Sequence, residues 1–262
     1  MGLTEMRRPV EMLASRDGKL REVCVAATTM LNGAELVLDP SGALWWPEQS
    51  TLAVADLHLA KGSALAGRSK LLRPGETRAT IERLAVVLRR YRPRRVVVLG
   101  DGFHERHARS RLNLVDGERL AGLIGEHEWV WVAGAHPGDA PAPLGGRTVA
   151  ELDLDGLVFR CEPGELGDGE VCGGFHPKAA IRVRGRRISG RCFVTDGLRL
   201  ILPAFGAYTG GLDARDPMIA ELFGDAVRVY LIGRNAIYLF PVDRLEPARR
   251  IEDVALARQS AP

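Results

Sequence analysis

LAVADLH, residues 52–58, joins an apolar run of strand length directly to two metal-binding side chains, Asp56 and His58. Its first four residues are continuously hydrophobic, which is typical of a strand buried on both faces of a sheet. Open sheets of α/β proteins place their reactive groups at the carboxyl ends of such strands. The stretch therefore predicts a buried strand that ends at a metal-binding site.

The same arrangement recurs along the chain. VVVLGD ends at Asp101, and WVWVAGAH ends at His136, so two more apolar runs lead into metal-binding or catalytic residue types. A fourth segment, GGFHP, contains His176 in a glycine-rich turn where backbone can approach closely. Any one of these segments is weak evidence, because a lone D-x-H occurs by chance in many proteins. Their order and shared context favour one site built on a sheet.

The side chains of this set suit a transition metal. In a strand, residues i and i+2 point to the same face, so Asp56 and His58 are expected to converge on one ion. Asp101 would add a second carboxylate and His176 a second imidazole. Two carboxylates and two imidazoles suit Mn, Fe or Zn, and are too nitrogen-rich for Ca or Mg. The alternative is that Asp56 caps a turn and that His58 is a hydrogen-bonded core residue.

Composition narrows the class of protein. The chain has 262 residues, of which 46% are apolar and 26% are charged, which predicts a folded protein with a substantial core. No apolar run approaches the roughly eighteen residues of a membrane helix, so no membrane partner is expected. The four cysteines form no C-x-x-C pair, which predicts free thiols and a cytoplasmic protein. The net charge of +3 neither requires nor excludes a nucleic-acid partner.

The order of elements predicts the fold class. A hairpin is expected across the turn DPSG at 39–42, and strands then alternate with helices at about 76–92 and 116–127. From Arg147 onward the pattern predicts mostly short strands, at 148–152, 157–161, 179–183, 191–194, 198–202, 227–232 and 236–240, with one short helix at 216–223. Alternation followed by clustered strands favours an α/β fold, a four-layer sandwich of two mixed β-sheets flanked by helices. The expected organisation is an N-terminal extension over 1–31, one domain over 32–243 and a C-terminal tail over 244–262.

These motifs resemble a known family. The order D-x-H, GD, G-N-H-D, H and G-H-x-H is the pattern of calcineurin-like metallophosphoesterases. Four longer blocks resemble, more specifically, the bacterial ligase-associated DNA-damage-response phosphoesterases: GALWWPEQSTLAVADLHLAKGSALA, LGDGFHERHARSRL, GGFHPKAAIRVRGRRISGRCFV and LPAFGAYTGGLD. The resemblance covers about residues 35–240. It implies the four-layer sandwich and a hydrolase acting on phosphoester bonds.

The resemblance also assigns roles to single residues. It implies a first metal site formed by Asp56, His58, Asp101 and His176, in which Asp101 is the bridging carboxylate that also takes part in catalysis. His136 corresponds to the catalytic histidine that assists the leaving group. The implied cofactor is one divalent transition metal, Mn, with Fe or Zn as alternatives.

The second metal site of the family is incomplete in this chain. Ala135 and Pro137 replace the Asn and Asp that flank the catalytic histidine, Cys161 replaces a histidine, and Gly174 replaces the first His of G-H-x-H. All ligands private to the second ion are absent, and those private to the first are kept. The expected function is therefore a phosphodiesterase or nuclease-type hydrolase linked to DNA repair that uses a single metal. The alternative is a weak or inactive homologue that acts as a DNA- or protein-binding accessory factor.

Basic residues near these motifs are candidate contacts to substrate. Lys61, Arg106 and Arg109 lie in segments adjoining the site and are predicted to bind the phosphoester, with ordinary surface charge as the alternative. The arginine-rich segment around Gly185 predicts a hairpin in which even-numbered arginines share a face, and the nucleic-acid contacts predicted there are Arg184, Arg186 and Arg187. Solvated hairpin charge is the competing interpretation. The resemblance adds DNA as a candidate substrate and a DNA-repair ligase or helicase as a candidate partner.

Overall fold

The architecture consists of two mixed β-sheets that share one apolar core. The structure is a computed structural model that describes residues 25–59, 75–102, 112–133, 144–165, 168–206, 210–224 and 226–247. The first sheet has seven strands in the order β1-β2-β3-β4-β5-β6-β7, and the second has eight. Strand order in the first sheet therefore follows chain order.

The first sheet is half antiparallel and half parallel. β1 to β4 pair antiparallel, and β4 to β7 pair parallel. Its strands are β1 Ala27–Leu31, β2 Ala34–Leu38, β3 Leu44–Trp46, β4 Thr51–Ala55, β5 Arg95–Leu99, β6 Glu128–Val132 and β7 Arg147–Val149. β4 and β5 are buried at every residue, as expected of strands covered on both faces. Their parallel pairing brings the residues that follow each strand to one edge.

The second sheet follows in the chain. Seven of its strands lie in the order β15-β14-β12-β13-β10-β9-β8, and β11 pairs with β12 beside them. They are β8 Glu151–Leu154, β9 Leu157–Arg160, β10 Glu170–Cys172, β11 Lys178–Val183, β12 Arg186–Thr195, β13 Arg199–Ile201, β14 Arg228–Ile232 and β15 Ile237–Pro241. β12 is long enough to pair with β11 through its first half and with β13 and β14 through its second half.

Packing between the sheets forms the central core. Leu44, Val97 and Val130 from the first sheet contact a cluster that includes Phe159 and Phe193 from the second, all essentially buried. The outer face of the first sheet packs on two helices. The outer face of the second sheet is covered by β11 and by a single-turn helix. The predicted four-layer α/β sandwich is confirmed.

The helices begin and end where local sequence directs. α1, Glu76–Tyr91, ends at Arg92 in a left-handed conformation, because Pro93 disfavours helix geometry in the residue before it. α2, Leu114–Gly125, begins at Asn113, whose side chain accepts a hydrogen bond from the Asp116 backbone N–H. α3, Pro217–Ala220, is a single turn. No helix in the described ranges is long and apolar enough to cross a membrane.

Several predicted elements differ from those observed. The strand predicted at 148–152 is two strands in different sheets, β7 and β8, because the chain crosses from one sheet to the other at Ala150. The predicted extension over 1–31 overlaps β1, in which Thr29 and Leu31 face the core while Thr28 and Met30 face solvent. β10 was not predicted, since three residues are too few to show a period.

Candidate metal centre

Asp56 and His58 lie immediately after β4 in an irregular backbone conformation. Both have positive φ, 52° and 47°, so the strand has ended before the first ligand. The expectation that the strand pleat points them to one face is therefore wrong. The Asp56 and His58 backbone N–H groups donate to the carbonyls of Leu99 and Asp101, each at 2.9 Å. The left-handed backbone conformation, which is rare for non-glycine residues, turns both side chains to one point.

His176 reaches the same point from the second sheet. It also has positive φ, 50°, and it lies two residues before β11 begins. Its Nε2 is 3.2 Å from His58 Nε2 and 3.3 Å from Asp56 Oδ2. Asp56, His58 and His176 each offer one ligand atom, and these atoms all lie within 4.8 Å of one another. Three of the four predicted ligands thus converge.

The spacing of these atoms fits a single ion. Two donors about 2.1 Å from a metal, at angles between octahedral and tetrahedral, stand about 3.0–3.4 Å apart. The separations of 3.2 and 3.3 Å fall within that range. One buried carboxylate and two imidazoles are also the mixed oxygen and nitrogen set that divalent transition metals prefer. The residues present therefore fit a transition-metal ion.

Backbone groups orient the Asp56 carboxylate. Its Oδ1 accepts a hydrogen bond from the Asp101 N–H at 3.1 Å, and its Oδ2 accepts one from the Gly174 N–H at 3.0 Å. The side chain is only 2% exposed, so these contacts offset part of the cost of burying its charge. Gly100 leaves the necessary space, because a Cβ there would stand 2.4 Å from Asp56 Oδ1. The glycine is needed on steric grounds.

Asp101 is beside the cluster rather than within it. Its carboxylate is 3.6 Å from His58 Nδ1, the ring nitrogen opposite the one that faces His176. Its side chain is 58% exposed, in contrast to 5% for His58. In this arrangement the carboxylate favours one orientation of the His58 ring. The bridging role implied by the resemblance stays a prediction.

A cavity of about 690 Å³ opens beside His176. Its lining is mainly apolar and includes one carboxylate, and the residues are Glu162, Pro163, Gly174, Phe175, His176, Gly210, Gly211, Leu212 and Met218. That volume is within the range of small-molecule sites. The backbone packs closely under it, since a Cβ on Gly211 would stand 2.1 Å from the His176 carbonyl oxygen.

Cys161 lies close to the centre. Its Sγ is 3.4 Å from the point where a Gly100 Cβ would be, and it is half-buried. Cys172 and Cys192 are fully buried, and desolvation raises the pKa of both thiols. None of these three cysteines forms a disulfide bond, as predicted, whereas Cys24 lies outside the described residues.

The predicted nucleic-acid arginines do not form one basic face. The β11–β12 register pairs Arg182 with Arg187 and Val183 with Arg186, so the expectation that even-numbered arginines share a face is wrong. Arg182 and Arg187 both pair with Glu246, which lowers the net charge of that face. Arg184 and Arg186 are exposed at the tip, about 20 Å of strand away from His176.

Four predicted site residues lie outside the described ranges: Lys61, Arg106, Arg109 and His136. Sequence reasoning also missed part of the observed centre. It did not identify the Gly174 N–H as a donor to Asp56, nor the segment 204–206, where the Phe205 and Gly206 N–H groups donate to the carbonyls of Ala55 and Asp56. Glycines at 100, 173, 174 and 206 were the available signal, because close backbone approach requires them.

Comparisons with known proteins identify a structural neighbour. No protein-family profile and no curated protein matches the chain. The chain is similar to the crystal structure of the Pseudomonas putida nuclease MPE, with a TM-score of 0.64 and 27% sequence identity. The match covers 82% of this chain and all of the other. Together with the two mixed sheets, this similarity indicates a metallophosphoesterase-like sandwich fold.

Proposed function

We propose that this protein is a metal-dependent phosphoesterase that hydrolyses phosphodiester bonds, with a nucleic acid as substrate. The observation that carries the proposal is the convergence of Asp56, His58 and His176 at the edge where β4 and β5 end. The adjoining cavity of about 690 Å³ leaves room for a substrate beside that point. Similarity to a nuclease supports the choice of a phosphodiester over other substrates.

In this proposal each residue has a defined task. Asp56, His58 and His176 hold one divalent transition metal, Mn, with Fe or Zn as alternatives. When bound, such an ion supplies Lewis acidity toward a phosphoryl oxygen and toward water. Asp101 orients His58 through its Nδ1 and serves as a further ligand. His136 donates a proton to the leaving oxygen, and Lys61, Arg106 and Arg109 neutralise the phosphate.

In this proposal the site holds a single ion. The two described positions at which second-ion ligands are missing, Cys161 and Gly174, are neighbours: a Cβ on Gly174 would stand 3.3 Å from the Cys161 carbonyl oxygen. Gly174 also has φ 82°, a conformation that histidine adopts only with strain. Both observations favour one ion. Cytoplasmic location and a link to DNA repair, with a ligase or helicase as partner, remain predictions from the sequence and the resemblance.

The direct test combines metal content with hydrolysis. The full chain is loaded with Mn, its metal is counted by elemental analysis, and it is assayed on a chromogenic phosphodiester and on single-stranded DNA. We expect one ion per chain and hydrolysis that EDTA abolishes. Asp56→Asn removes the negative ligand, so metal affinity and turnover should both fall by at least about 100-fold. Replacing a residue that only hydrogen-bonds to a metal ligand already lowers metal affinity or activity by about 10–100-fold.

A matched control is Asp153→Asn. Asp153 is an exposed carboxylate of β8, so the change alters charge equally and should leave metal content and turnover as they are. Two fully occupied ions per chain would contradict the single-metal statement. Hydrolysis that persists in Asp56→Asn with its metal removed would contradict the assignment of the site.

The second candidate function is that of a binding factor without useful turnover. The observation that favours it is that Gly174 lines the open cavity and has no side chain that could bind an ion. A protein that binds one ion and DNA, and hydrolyses neither diester at any metal concentration, would establish this function instead.

A further inference from the structure

Arg83 and Arg191 lie close together, and among the described residues neither has an acidic partner. Arg191 donates through Nη1 to the Ala204 carbonyl at 2.6 Å and through Nη2 to the Ser41 carbonyl at 3.1 Å. Arg83 lies over the ring of the next residue, Phe205, with its Cζ 5.0 Å from the ring centroid. The two guanidinium groups therefore approach consecutive residues of one segment.

Neither cation is neutralised by the parts of the chain that the structure describes. Within those ranges no carboxylate lies within 4 Å of either guanidinium. Asp39, the acid of the nearby hairpin turn, is engaged by Arg90 and by the Tyr91 hydroxyl instead. The buried Nε of Arg83 has no hydrogen-bond partner there either.

This arrangement costs free energy. Both side chains are half-buried, and two like charges in a partly desolvated place repel each other. Burial, together with the charge of Arg83, lowers the pKa of Arg191 to about 10, and burial lowers that of Arg83 as well. Both groups remain charged at neutral pH, so an anion is the ligand that would offset the repulsion.

The pair adjoins the metal centre. Ala204 forms a bridge with Ala55, and the Phe205 and Gly206 N–H groups donate to the carbonyls of Ala55 and Asp56. The turn that contains Ser41 lies at the same edge, because Leu44 pairs with Ala53 near the end of β4. An anion bound by the arginines would thus lie at the same edge of the first sheet as Asp56.

We propose that Arg83 and Arg191 bind a second phosphate of the nucleic-acid strand whose scissile phosphate lies at Asp56, His58 and His176. This assignment rests on the proposed function. Guanidinium groups suit the role because they bind phosphate through two parallel hydrogen bonds. Arg191 also donates to two backbone carbonyls, so replacing it would disturb the fold as well as anion binding. Arg83 is therefore the better residue to replace in a test.

The test measures DNA binding without metal, so that turnover does not enter. A fluorescent single strand of about 12 nucleotides, within the range of known single-strand sites, is titrated with the full chain in EDTA at several salt concentrations. We expect Arg83→Gln to weaken binding about fivefold or more and to reduce the slope of log K against log salt by about 0.7, the value for one phosphate contact on a single strand. Arg83→Lys should restore the slope and only part of the affinity, because lysine lacks the paired donors.

The matched control is Arg89→Gln. Arg89 is an exposed arginine of the same helix, six residues or about 9 Å further along, and the substitution removes the same charge. It should change affinity and salt slope much less. Thermal unfolding of each variant separates loss of binding from loss of fold, and Arg83→Lys keeps the cation if Arg83→Gln unfolds.

Two results would overturn the proposal: equal effects of Arg83→Gln and Arg89→Gln, or an unchanged salt slope in Arg83→Gln. Free phosphate that binds at Arg83 without competing with the oligonucleotide would identify an anion site unrelated to nucleic acid and would also count against it. A protein that binds DNA as proposed and hydrolyses nothing would disprove the function and leave this site intact.

Discussion

At the scale of single residues, backbone conformation builds the centre. The three converging ligands, Asp56, His58 and His176, all have φ near 50°. Each such residue costs on the order of 1–3 kcal/mol, a strain that persists where surrounding structure fixes it. Hydrogen bonds from Asp101 and Gly174 to the Asp56 carboxylate are part of that surrounding structure. The fold thus holds the ligands in a geometry that a free chain would rarely adopt.

Two glycine substitutions should have opposite effects on stability. Gly100→Ala places a Cβ 2.4 Å from Asp56 Oδ1 at φ 70°, so it should lower the free energy of unfolding by about 1–2 kcal/mol from backbone conformation alone. It should also weaken metal binding by displacing the carboxylate. Gly122→Ala lies in the exposed middle of α2 with nothing within 4 Å, so it should raise the free energy of unfolding by about 0.5–1 kcal/mol.

Urea denaturation and metal titration of both variants measure these changes. Unchanged metal affinity in Gly100→Ala would show that Asp56 has more room than its contacts indicate. The Gly122→Ala variant serves as the control, because it adds the same methyl group far from the centre and should bind metal normally.

At the scale of elements, a buried ion pair fixes the loop that follows β9. Glu170, on β10, pairs with Arg199, on β13, and both are nearly inaccessible. Glu170 also accepts a hydrogen bond from the Gly164 N–H at 2.6 Å, and Arg199 donates to the Gly164 and Leu222 carbonyls, each at 2.7 Å. The pair therefore holds the loop carrying Cys161, Glu162 and Pro163 against the cavity.

Arg199→Met should destabilise the protein by up to about 3–5 kcal/mol, because it leaves the buried Glu170 carboxylate with only the partly exposed Arg160 as its cation. Arg199→Lys should recover only part of this loss, since an ammonium cannot reach three acceptors in one plane. Chemical denaturation gives the magnitudes. The matched comparison is Arg119→Met, which removes an exposed pair with Glu82 and should cost under about 1 kcal/mol. Equal losses in the two methionine variants would show that the buried pair has no special weight.

Elements differ in how well the sequence predicted them. The β2–β3 hairpin was predictable because the turn DPSG separates two clear strands, and α1 because its apolar residues recur at helical spacing. The crossing at Ala150 was not, since no glycine or proline marks it and the two strands read as one run. At the site, residue types predicted Asp56, His58 and His176 as ligands. The left-handed turns that join them depend on contacts between sheets, which no local pattern contains.

At the scale of the whole molecule, the shared core should make the two sheets unfold together. All four tryptophans lie in the first sheet, on β3 and β6, whereas Cys172 and Cys192 lie in the second. Tryptophan fluorescence and thiol labelling therefore report on different sheets. Both thiols are fully buried and burial raises the pKa of each, so they should react only after unfolding.

In a Cys24→Ser, Cys161→Ser variant, the two probes should give the same denaturant midpoint, as a single cooperative transition requires. Labelling of Cys172 at denaturant concentrations where tryptophan fluorescence is still native would contradict a common core and would favour two units joined near Ala150. The unlabelled variant, followed by circular dichroism, controls for effects of the two serines.

The division of the sheets along the chain has a consequence for biosynthesis. The first sheet uses only residues 27–149 and the second only 151–241, so a ribosome delivers them one after the other. His58 and His176 are 118 positions apart, which at 5–20 residues per second is a wait of about 6–24 s. During that interval the nascent chain lacks His176, one of the three converging donors. In the proposed function, the ion would therefore bind last, after both sheets have been synthesised and have packed together.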